Sequence, residues 1–562
     1  MRMQLFFTQL FAPNWCKYAL NVHIEIACAN FDGTTSAKNC FGKEEEIMKK
    51  RMVLFLLLLM TSIVLCGCKD DKEQTDNPKD NISSGTPVAG GSVVVGITQD
   101  MDSLDPHKAV AAGTDEVLFN MFEGLVKPDK DGNLIPAVAS AYEIAPDGKQ
   151  YTFTLRDGVK FHNGQLVTAD DVIYSLKRCA GLLETSEPEV VLESALSVIT
   201  DIAKTDEKTI VLTLSESNTE LAGYLTCAII PKDYKEQATK PVGTGPFRFV
   251  SYTPLESLIM EKNPDYYSTP AYLDKVTFRI CSSIDAAFME LLGNTIDIFP
   301  YLTEEQAAQL SKEYRIEVGA SNLVQALFLN NEKEIFQNPL VRKALCHAVN
   351  AQEMLDIVAG GRGTVIGTNM FPNFGKYYNE ALVGTYEYDV EKAKSLLAEA
   401  GYPNGISFTI TVPSNYDFHV ATAQVLVWQL EKAGIQAKIQ LVEWQTWLTD
   451  VYRGRKYEAT IIGLDADLAP SDVLKRYVSD ASTNFVNYNN KEFDVLFAKA
   501  LAETDEVEKV KMYKQLQEIL TLDAASVYLA DSPKLVAVNA KLGGYVFYPV
   551  YVMDMATVYY ME

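Results

Sequence analysis

The stretch over residues 406–442 constrains the fold more than any other part of this sequence. Two apolar runs, at 406–412 and 435–442, flank a helical pattern at 421–433. Parallel strands need a connection of a dozen or more residues, and a helix is the usual one. The stretch therefore predicts a βαβ unit inside an α/β domain.

Shorter patterns elsewhere predict further strands and helices. Residues 92–98 and 151–156 have the character of strands, and 247–250 and 258–261 are predicted to be neighbouring strands. Thr168 is placed to cap a helix with an acidic first turn and a basic last turn, the order that the helix dipole favours. Strands and helices thus alternate along the chain, as is typical of α/β domains.

The charge of the chain limits its partners. With 48% apolar and 22% charged residues it has the composition of an ordinary globular protein, and its formal net charge is −24. An acidic surface repels nucleic acid and anionic lipid. We therefore expect no nucleic-acid partner.

No motif predicts catalysis or a metal site. HExxH, GxSxG and SxxK do not occur in residues 69–562, and the histidines there are widely separated. Beyond Cys68, the cysteines are Cys179, Cys227, Cys281 and Cys346, far apart and without a CxxC. A single disulfide between two of these cysteines is an open alternative, but no disulfide framework is indicated. We expect no enzymatic activity, no metal and no other cofactor.

Residues 48–67 are typical of a bacterial lipoprotein signal peptide. Three basic residues precede an apolar run at 52–65 that is shorter than the ~20 residues needed to span a bilayer. We expect cleavage before Cys68 and attachment of lipid to that cysteine; an ordinary signal peptide is the alternative. Residues 68–90, polar after the cysteine, predict a flexible tether. Residues 1–47 are expected to be a mis-called extension, with Met48 as the true start.

Several short motifs occur in a characteristic order along the chain. They include Asp102-Ser103-Leu104-Asp105-Pro106, Phe122-Glu123-Gly124-Leu125-Val126, Gly158-Val159-Lys160-Phe161-His162-Asn163-Gly164, Thr168-Ala169-Asp170-Asp171-Val172, Gly243-Thr244-Gly245-Pro246-Phe247 and Gly401-Tyr402-Pro403-Asn404-Gly405. The chain resembles the oligopeptide-, dipeptide- and nickel-binding lipoproteins of ABC importers, extracytoplasmic solute-binding protein family 5. The resemblance extends over essentially all of residues 68–562.

The resemblance implies a two-lobed α/β protein of the periplasmic-binding-protein type II fold, with an inserted β-rich subdomain and a hinge. Lobe I is expected to consist of three separate segments of the chain. The expected ranges are 91–123, 236–330 and 527–562 for lobe I, 124–235 for the inserted subdomain and 331–526 for lobe II.

The resemblance also implies a function. We expect a receptor, lipid-anchored outside the cytoplasm to the bacterial cell membrane, that captures short peptides between its lobes and delivers them to ABC permease subunits with their ATPase subunits. A monomer is expected. Two alternatives stay open: binding of a nickel chelate or other small solute, and reception of signalling peptides.

The best candidates for ligand contact follow a predicted strand. Asp465 and Asp467 stand at the carboxyl end of a strand, where α/β sheets place ligands. In the family resembled, an aspartate of this segment holds the peptide amino terminus, and Asp467 aligns best with it. Leu464 replaces the tryptophan of many relatives. The alternative is that both carboxylates lie on a solvated loop.

Further candidates come from lobe I. Thr98, Gln99 and Asp100 leave the first predicted strand and are expected to offer backbone groups to the ligand. A turn that caps its own backbone is an equal alternative. The segment Gly243-Thr244-Gly245 lacks the lysine of a phosphate loop, so we interpret it as a tight hinge-side turn or as backbone beside the ligand.

Two tryptophans complete the candidate site. Trp444 and Trp447 stand three residues apart at the start of a predicted helix. One of them is expected to pack in the core and the other to line a side-chain pocket.

Overall fold

The structure, a computed structural model, describes residues 85–109, 111–183 and 192–562. The expectations for Cys68, for the signal peptide and for residues 1–47 concern residues outside these ranges. Among the described residues, no helix is both long enough and apolar enough to cross a membrane.

The first sheet builds lobe I. Its central strand Ser92–Ile97 buries Val93 and Val95 completely and has parallel partners on both sides. The remaining pairings are antiparallel, including the predicted neighbours Phe247–Thr253 and Ser257–Lys262. The seven strands follow the spatial order Tyr314–Ala320, Pro533–Asn539, Ile298–Phe299, Ser92–Ile97, Lys275–Ile280, Ser257–Lys262, Phe247–Thr253.

The second sheet builds lobe II and contains the predicted βαβ unit. Ile406–Pro413 and Ile435–Val442 pair in parallel and are joined by the helix Asp417–Lys432, which confirms that prediction. Apolar clusters cover both faces of the sheet, because successive side chains of a strand point to opposite sides. The six strands follow the order Thr364–Val365, Ser526–Asp531, Val324–Leu329, Ala459–Leu464, Ile406–Pro413, Ile435–Val442.

A third, antiparallel sheet forms the inserted subdomain. Its strands follow the order Ala139–Ile144, Gln150–Leu155, Thr209–Leu214, Ile199–Lys204. The helix Ala169–Ala180 packs on it and is capped by Thr168, as the sequence predicts; the structure adds a capping box, because Asp171 bonds back to Thr168. Gly181 ends this helix with φ of 70°, a backbone conformation that glycine adopts without strain.

Smaller elements complete the chain. Three short pairings join Val126–Pro128 with Leu134–Pro136, Tyr559–Met561 with Pro87–Val88, and Tyr559–Met561 with Leu542–Gly543. The folded part therefore begins before residue 91, the start expected from the sequence. The other helices are Ala112–Leu118, Ile284–Leu292, Glu304–Ala307, Glu334–Gln337, Pro339–Ala348, Ala351–Ala359, Val390–Glu399, Trp444–Thr446, Pro470–Lys475, Lys491–Ala502 and Glu506–Leu522, with a π-helical turn at Trp447–Arg453 and 3₁₀ turns at Ser194–Val198, Leu221–Tyr224, Pro372–Tyr377 and Glu380–Leu382.

The chain crosses between the lobes in two adjacent segments. Val324–Leu329 and Ser526–Asp531 lie in the second sheet, so the crossings fall near residues 321–323 and 532, slightly displaced from the expected boundaries. The Ser321 N–H donates to the carbonyl of Ser532 at 2.9 Å, and the Leu323 N–H donates to Oδ1 of Asp531 at 3.1 Å. These two segments form the hinge.

A buried ion pair joins the inserted subdomain to lobe II. Nζ of Lys509 lies 3.4 Å from Oε1 of Glu220, and both side chains are almost fully buried. The Ser471 N–H donates to the other oxygen of Glu220 at 3.0 Å, and Lys509 donates to Oγ1 of Thr219 at 2.7 Å. We call this contact the latch.

Candidate functional site

A cavity of about 470 Å³ lies where lobe I, the inserted subdomain and lobe II meet. Its volume is within the range of small-ligand sites, ~300–1,000 Å³. Lobe I contributes residues from 106–109, 115–123 and 550–552, the inserted subdomain residues from 124–128 and 223–228 together with Cys179, Leu192 and Glu193, and lobe II residues from 465–476. A ligand in this cavity would contact both lobes.

Asp467 is the most perturbed acid of the cavity. It lies in the loop after the strand Ala459–Leu464, at the carboxyl end of the second sheet. Burial raises the pKa of Asp467 to about 7, and the negative charges of Asp472, Glu193 and Asp465 add to the effect more strongly than Arg476 opposes it. A cationic group placed here would relieve both the burial and the repulsion.

Asp465 lies beside Asp467 but in a different environment. Its side chain is half exposed and lies 3.9 Å from a guanidinium nitrogen of Arg476, which is also 3.8 Å from Asp472. Tyr551 approaches Asp465 from lobe I, where burial and the Asp465 carboxylate raise the pKa of the Tyr551 hydroxyl. Asp465 is thus engaged by the protein, whereas the side chain of Asp467 faces mainly other acids.

Two more carboxylates approach the cavity from the other walls. Asp115, on the helix Ala112–Leu118, has its pKa raised to about 6 by loss of water within the cleft and by the charge of Asp102. Burial likewise raises the pKa of Glu193, from the inserted subdomain, although the Ala195 N–H donates to it. These two positions were not predicted from the sequence, because each lies hundreds of residues from Asp467.

The lysine of the cavity is already paired. Lys127 donates to Glu123 at 2.7 Å, and the Tyr266 hydroxyl donates to the same oxygen at 2.7 Å. The Thr244 hydroxyl lies 3.4 Å from the second oxygen of Glu123. Because Lys127 and Glu123 cancel, and Arg476 is shared by two aspartates, the cavity keeps an excess of negative charge.

A buried histidine supports the loop that carries Asp465 and Asp467. The Gly463 N–H donates to Nε2 of His419 at 3.0 Å, and the Gln325 amide lies 2.9 Å from Nδ1. Burial lowers the pKa of His419 to about 4, so the ring is neutral near pH 7 and Nε2 accepts this hydrogen bond. The loop therefore begins from a fixed point on the helix Asp417–Lys432.

The other predicted site residues lie away from this cavity. Asp100 accepts hydrogen bonds from the Tyr252 hydroxyl at 2.7 Å and the Leu255 N–H at 2.8 Å, which ties it to the turn between two strands of lobe I. Gln99 is exposed and Thr98 is half-buried beside it. Thr98, Gln99 and Asp100 are thus grouped with the first sheet and not with Asp467.

The segment Gly243-Thr244-Gly245 packs under the cavity wall. The Gly245 N–H donates to the carbonyl of Met121 at 2.9 Å, and a Cβ on Gly243 would lie 2.1 Å from that carbonyl oxygen. Glycine is needed there because no side chain fits. Thr244, with no exposed surface, supports Glu123 and does not line the cavity.

The two tryptophans stack on each other at the edge of the lobe II core. Their rings are 5.2 Å apart and nearly parallel. Trp447 is 2% exposed and donates from Nε1 to Oγ1 of Thr460 at 3.0 Å, whereas Trp444 is half-buried and meets Tyr416 edge-on. Neither ring lines the cavity.

Comparison with known proteins identifies the class of this molecule. Residues 133–513 match the family described as bacterial extracellular solute-binding proteins, family 5 Middle. The chain belongs to this family. The resemblance noted in the sequence is thereby confirmed.

Relatives and solved structures of family 5 agree with the fold. The chain is 25% identical to the oligopeptide-binding protein AppA of Bacillus subtilis, over 89% of this chain and 97% of AppA. It is 28% identical to heme-binding protein A of Haemophilus influenzae, over 74% of this chain and 82% of that protein. The fold is also similar to a solved structure, that of the ABC transporter-associated periplasmic binding protein DppA of Helicobacter pylori in complex with the peptide STSA. The two sequences are 31% identical, the TM-score is 0.70, and the match covers 84% of this chain and 99% of DppA. The expected two-lobed type II fold of a family 5 protein is confirmed.

The acids of the cavity do not form a metal centre. Across the part of the chain that the structure describes, no three side chains of His, Cys, Asp or Glu are arranged to hold a metal ion. A cavity with this excess of carboxylates attracts positively charged groups.

Proposed function

We propose that this protein is the receptor of an ABC importer, that it captures short peptides between its lobes and that it delivers them to the permease. The observation that carries the proposal is Asp467, a solvent-accessible carboxylate among other acids in a cavity between two lobes. The names of AppA and DppA, which bind an oligopeptide and a peptide, support it.

The amino terminus of the peptide is the group that Asp467 binds. An ammonium placed against a carboxylate forms a charge-assisted hydrogen bond worth ~1.5–3 kcal/mol, and access of water to Asp467 places it toward the lower end of this range. Asp472 and Glu193 reinforce the attraction because they already raise the pKa of Asp467. A free amine is thus favoured over a neutral or acidic group at this position.

The size of the cavity favours short ligands. About 470 Å³ is available among the lining residues. This lies in the lower half of the range for small-ligand sites, ~300–1,000 Å³. We infer that the preferred peptides are only a few residues long.

Closure of the lobes is the mechanism of capture. A ligand that touches Asp467 in lobe II and the lobe I wall stabilises the closed arrangement, and only that arrangement docks productively on the permease. The ligand shifts the population by the difference between its affinities for the two arrangements. The latch between Glu220 and Lys509 acts in the same direction, because it exists only when the inserted subdomain reaches lobe II.

The remaining parts of the proposal concern position and assembly. We infer that Cys68 is lipidated and tethers the protein outside the cytoplasm, that it acts as a monomer beside the permease and ATPase subunits, and that it catalyses no reaction. The signal-like residues 48–67 and the binding-protein family support these inferences.

Native mass spectrometry of the exported protein, purified from the cell envelope without denaturant, tests peptide capture. A series of bound masses that match short peptides is expected, and it would also report their length. One discrete mass of another chemistry, such as a metal chelate, would contradict the proposal and favour small-solute binding.

Substitution of Asp467 tests the amine anchor. We expect Asp467→Ala to weaken binding of free-amine peptides while scarcely changing that of N-acetylated ones. Asp450→Ala is the matched control, because Asp450 is a half-exposed lobe II aspartate outside the cavity. Equal losses for both kinds of peptide would rule out the amine anchor.

A further inference from the structure

Two cysteines meet in the wall of the cavity. Cys179 lies in the last turn of the helix Ala169–Ala180, and Cys227 lies 48 positions further along the chain, after the turn Leu221–Tyr224. Each thiol has the strongest effect on the pKa of the other, both side chains line the cavity, and both are free thiols in the structure. Nothing in the proposed binding of peptides uses this pair.

Hydrogen bonds near the two cysteines fix the positions of the chain segments that carry them. One helical turn before Cys179, Oγ of Ser175 accepts from the Ile230 N–H at 2.9 Å. Next to Cys227, the carbonyl of Ala228 accepts from Nε2 of His107 at 2.7 Å. The first bond fixes the helix against the segment 227–230, and the second ties that segment to His107 of lobe I.

The surroundings of Cys179 favour its thiolate. Contact with the Cys227 thiol, then contact with His107 and the charge of Arg178, lowers the pKa of Cys179, although burial opposes them. Arg178 is fixed by Asp105 at 2.6 Å and lies 3.1 Å from Nδ1 of His107. The thiolate is the reactive form of cysteine, so this neighbourhood makes Cys179 the attacking sulfur.

We propose that Cys179 and Cys227 form a reversible disulfide in the cavity wall, and that the reduced pair is oxidised by small organic disulfides that enter the cavity. The Cys179 thiolate attacks one sulfur of the small disulfide, forms a mixed disulfide and releases one thiolate. The Cys227 thiol then loses its proton to water and attacks the Cys179 sulfur, which releases the second thiolate. Both released thiolates take up protons, so two protein thiols are oxidised while one small disulfide is reduced to two thiols.

The acidic cavity selects among such disulfides. Asp115, Glu193 and Asp467 line the same space as the two thiols. A site lined with one sign of charge can raise the rate of encounter with the opposite charge by ~10–10³. Disulfides that carry ammonium groups should therefore react faster than anionic ones. The proposal does not depend on peptide transport, since it rests on the thiols and the charge of the wall.

Extracytoplasmic proteins commonly keep disulfides, because their surroundings are oxidising. Cys281 and Cys346 are internal controls: each is buried, and they belong to lobe I and lobe II. Burial raises the pKa of Cys281 to about 11 and that of Cys346 to about 12, which makes both unreactive.

Reaction with cystamine tests the proposal on the exported, chemically reduced protein. Intact mass, followed by peptide mapping after alkylation, should show loss of two hydrogen atoms and one cross-link between the peptides of Cys179 and Cys227. Cystamine should react about tenfold or more faster than oxidised glutathione, and added salt should reduce the ratio. Cys227→Ser should stop at a mixed disulfide on Cys179, and Cys281→Ser should behave like the unchanged protein.

Three results would overturn the proposal. They are two separately alkylated thiols at Cys179 and Cys227 after cystamine treatment, a cross-link that involves another cysteine, and equal rates for cystamine and oxidised glutathione. The mapping uses the unchanged protein, so failure of a variant to fold would not prevent a decision.

Discussion

Acid should weaken the binding of free-amine peptides, because Asp467 must be ionised to hold an ammonium. Its pKa in the unliganded cavity is raised to about 7. At about pH 5 only ~1% of the carboxyl groups are ionised, against ~75% at about pH 7.5. Binding below pH 7 therefore has to expel a proton, and affinity must rise with pH through this range.

The size of the effect follows from the two pKa values. An α-amino group has a pKa of ~7.7–8.0, so about two thirds of peptide termini are charged at pH 7.5 and nearly all at pH 5. The fraction of productive pairs then falls about fifty-fold on acidification, equivalent to ~2.3 kcal/mol. Screening by water at the partly exposed carboxylate reduces the expected loss toward ~20-fold.

Titration calorimetry with one free-amine peptide at both pH values measures this loss. Repetition in buffers of different ionisation enthalpy detects the proton released near pH 7. Asp467→Asn should bind weakly at both pH values and release no proton, whereas Asp450→Asn should match the unchanged protein. Affinity that is independent of pH, or an undiminished acid loss in Asp467→Asn, would refute the assignment.

Three further predictions concern stability. Glu220→Ala leaves Lys509 as a buried unpaired charge and should lower the free energy of unfolding by ~3 kcal/mol, whereas methionine at both positions should cost much less; denaturant titration compares them. Burial raises the pKa of Asp531 to about 7. The protonated carboxyl therefore contributes fully to the free energy of unfolding below ~pH 4, and this contribution, ~4 kcal/mol, is lost as the pH rises through 7. Asp531→Asn should lack this loss when unfolding curves at pH 4 and 8 are compared. Oxidation of Cys179 and Cys227 should raise the free energy of unfolding by ~4 kcal/mol, measured with and without reductant.

Local patterns allowed the sequence to predict individual elements of the fold. The βαβ unit over 406–442 and the cap at Thr168 depend on residues close together in the chain. The membership of Val324–Leu329 and Ser526–Asp531 in the second sheet depends on pairing between strands that are far apart in the sequence. Because Val324–Leu329 is buried on both faces and nearly all apolar, its pattern does not show which sheet it joins.

The candidate site was only partly predictable for a related reason. Asp465 and Asp467 were predicted because their segment resembles the one that carries a ligand-binding aspartate in the family, and because α/β sheets place ligands at strand ends. Asp115 and Glu193 reach the same cavity from other segments and carry no local signal. Conversely, Asp100 was predicted to contact the ligand from its position after a strand, yet both of its carboxylate oxygens accept hydrogen bonds from a turn of lobe I.

The pairing of Pro87–Val88 with Tyr559–Met561 has a mechanical consequence. Both ends of the folded chain leave from one place on lobe I, while lobe II is reached only through the hinge near residues 321–323 and 532. A load applied through an N-terminal anchor would pass into lobe I without crossing the hinge. Lobe I would then be the stationary part and lobe II the part that moves, so a bulky fusion at Glu562 should not impede the movement of lobe II about the hinge.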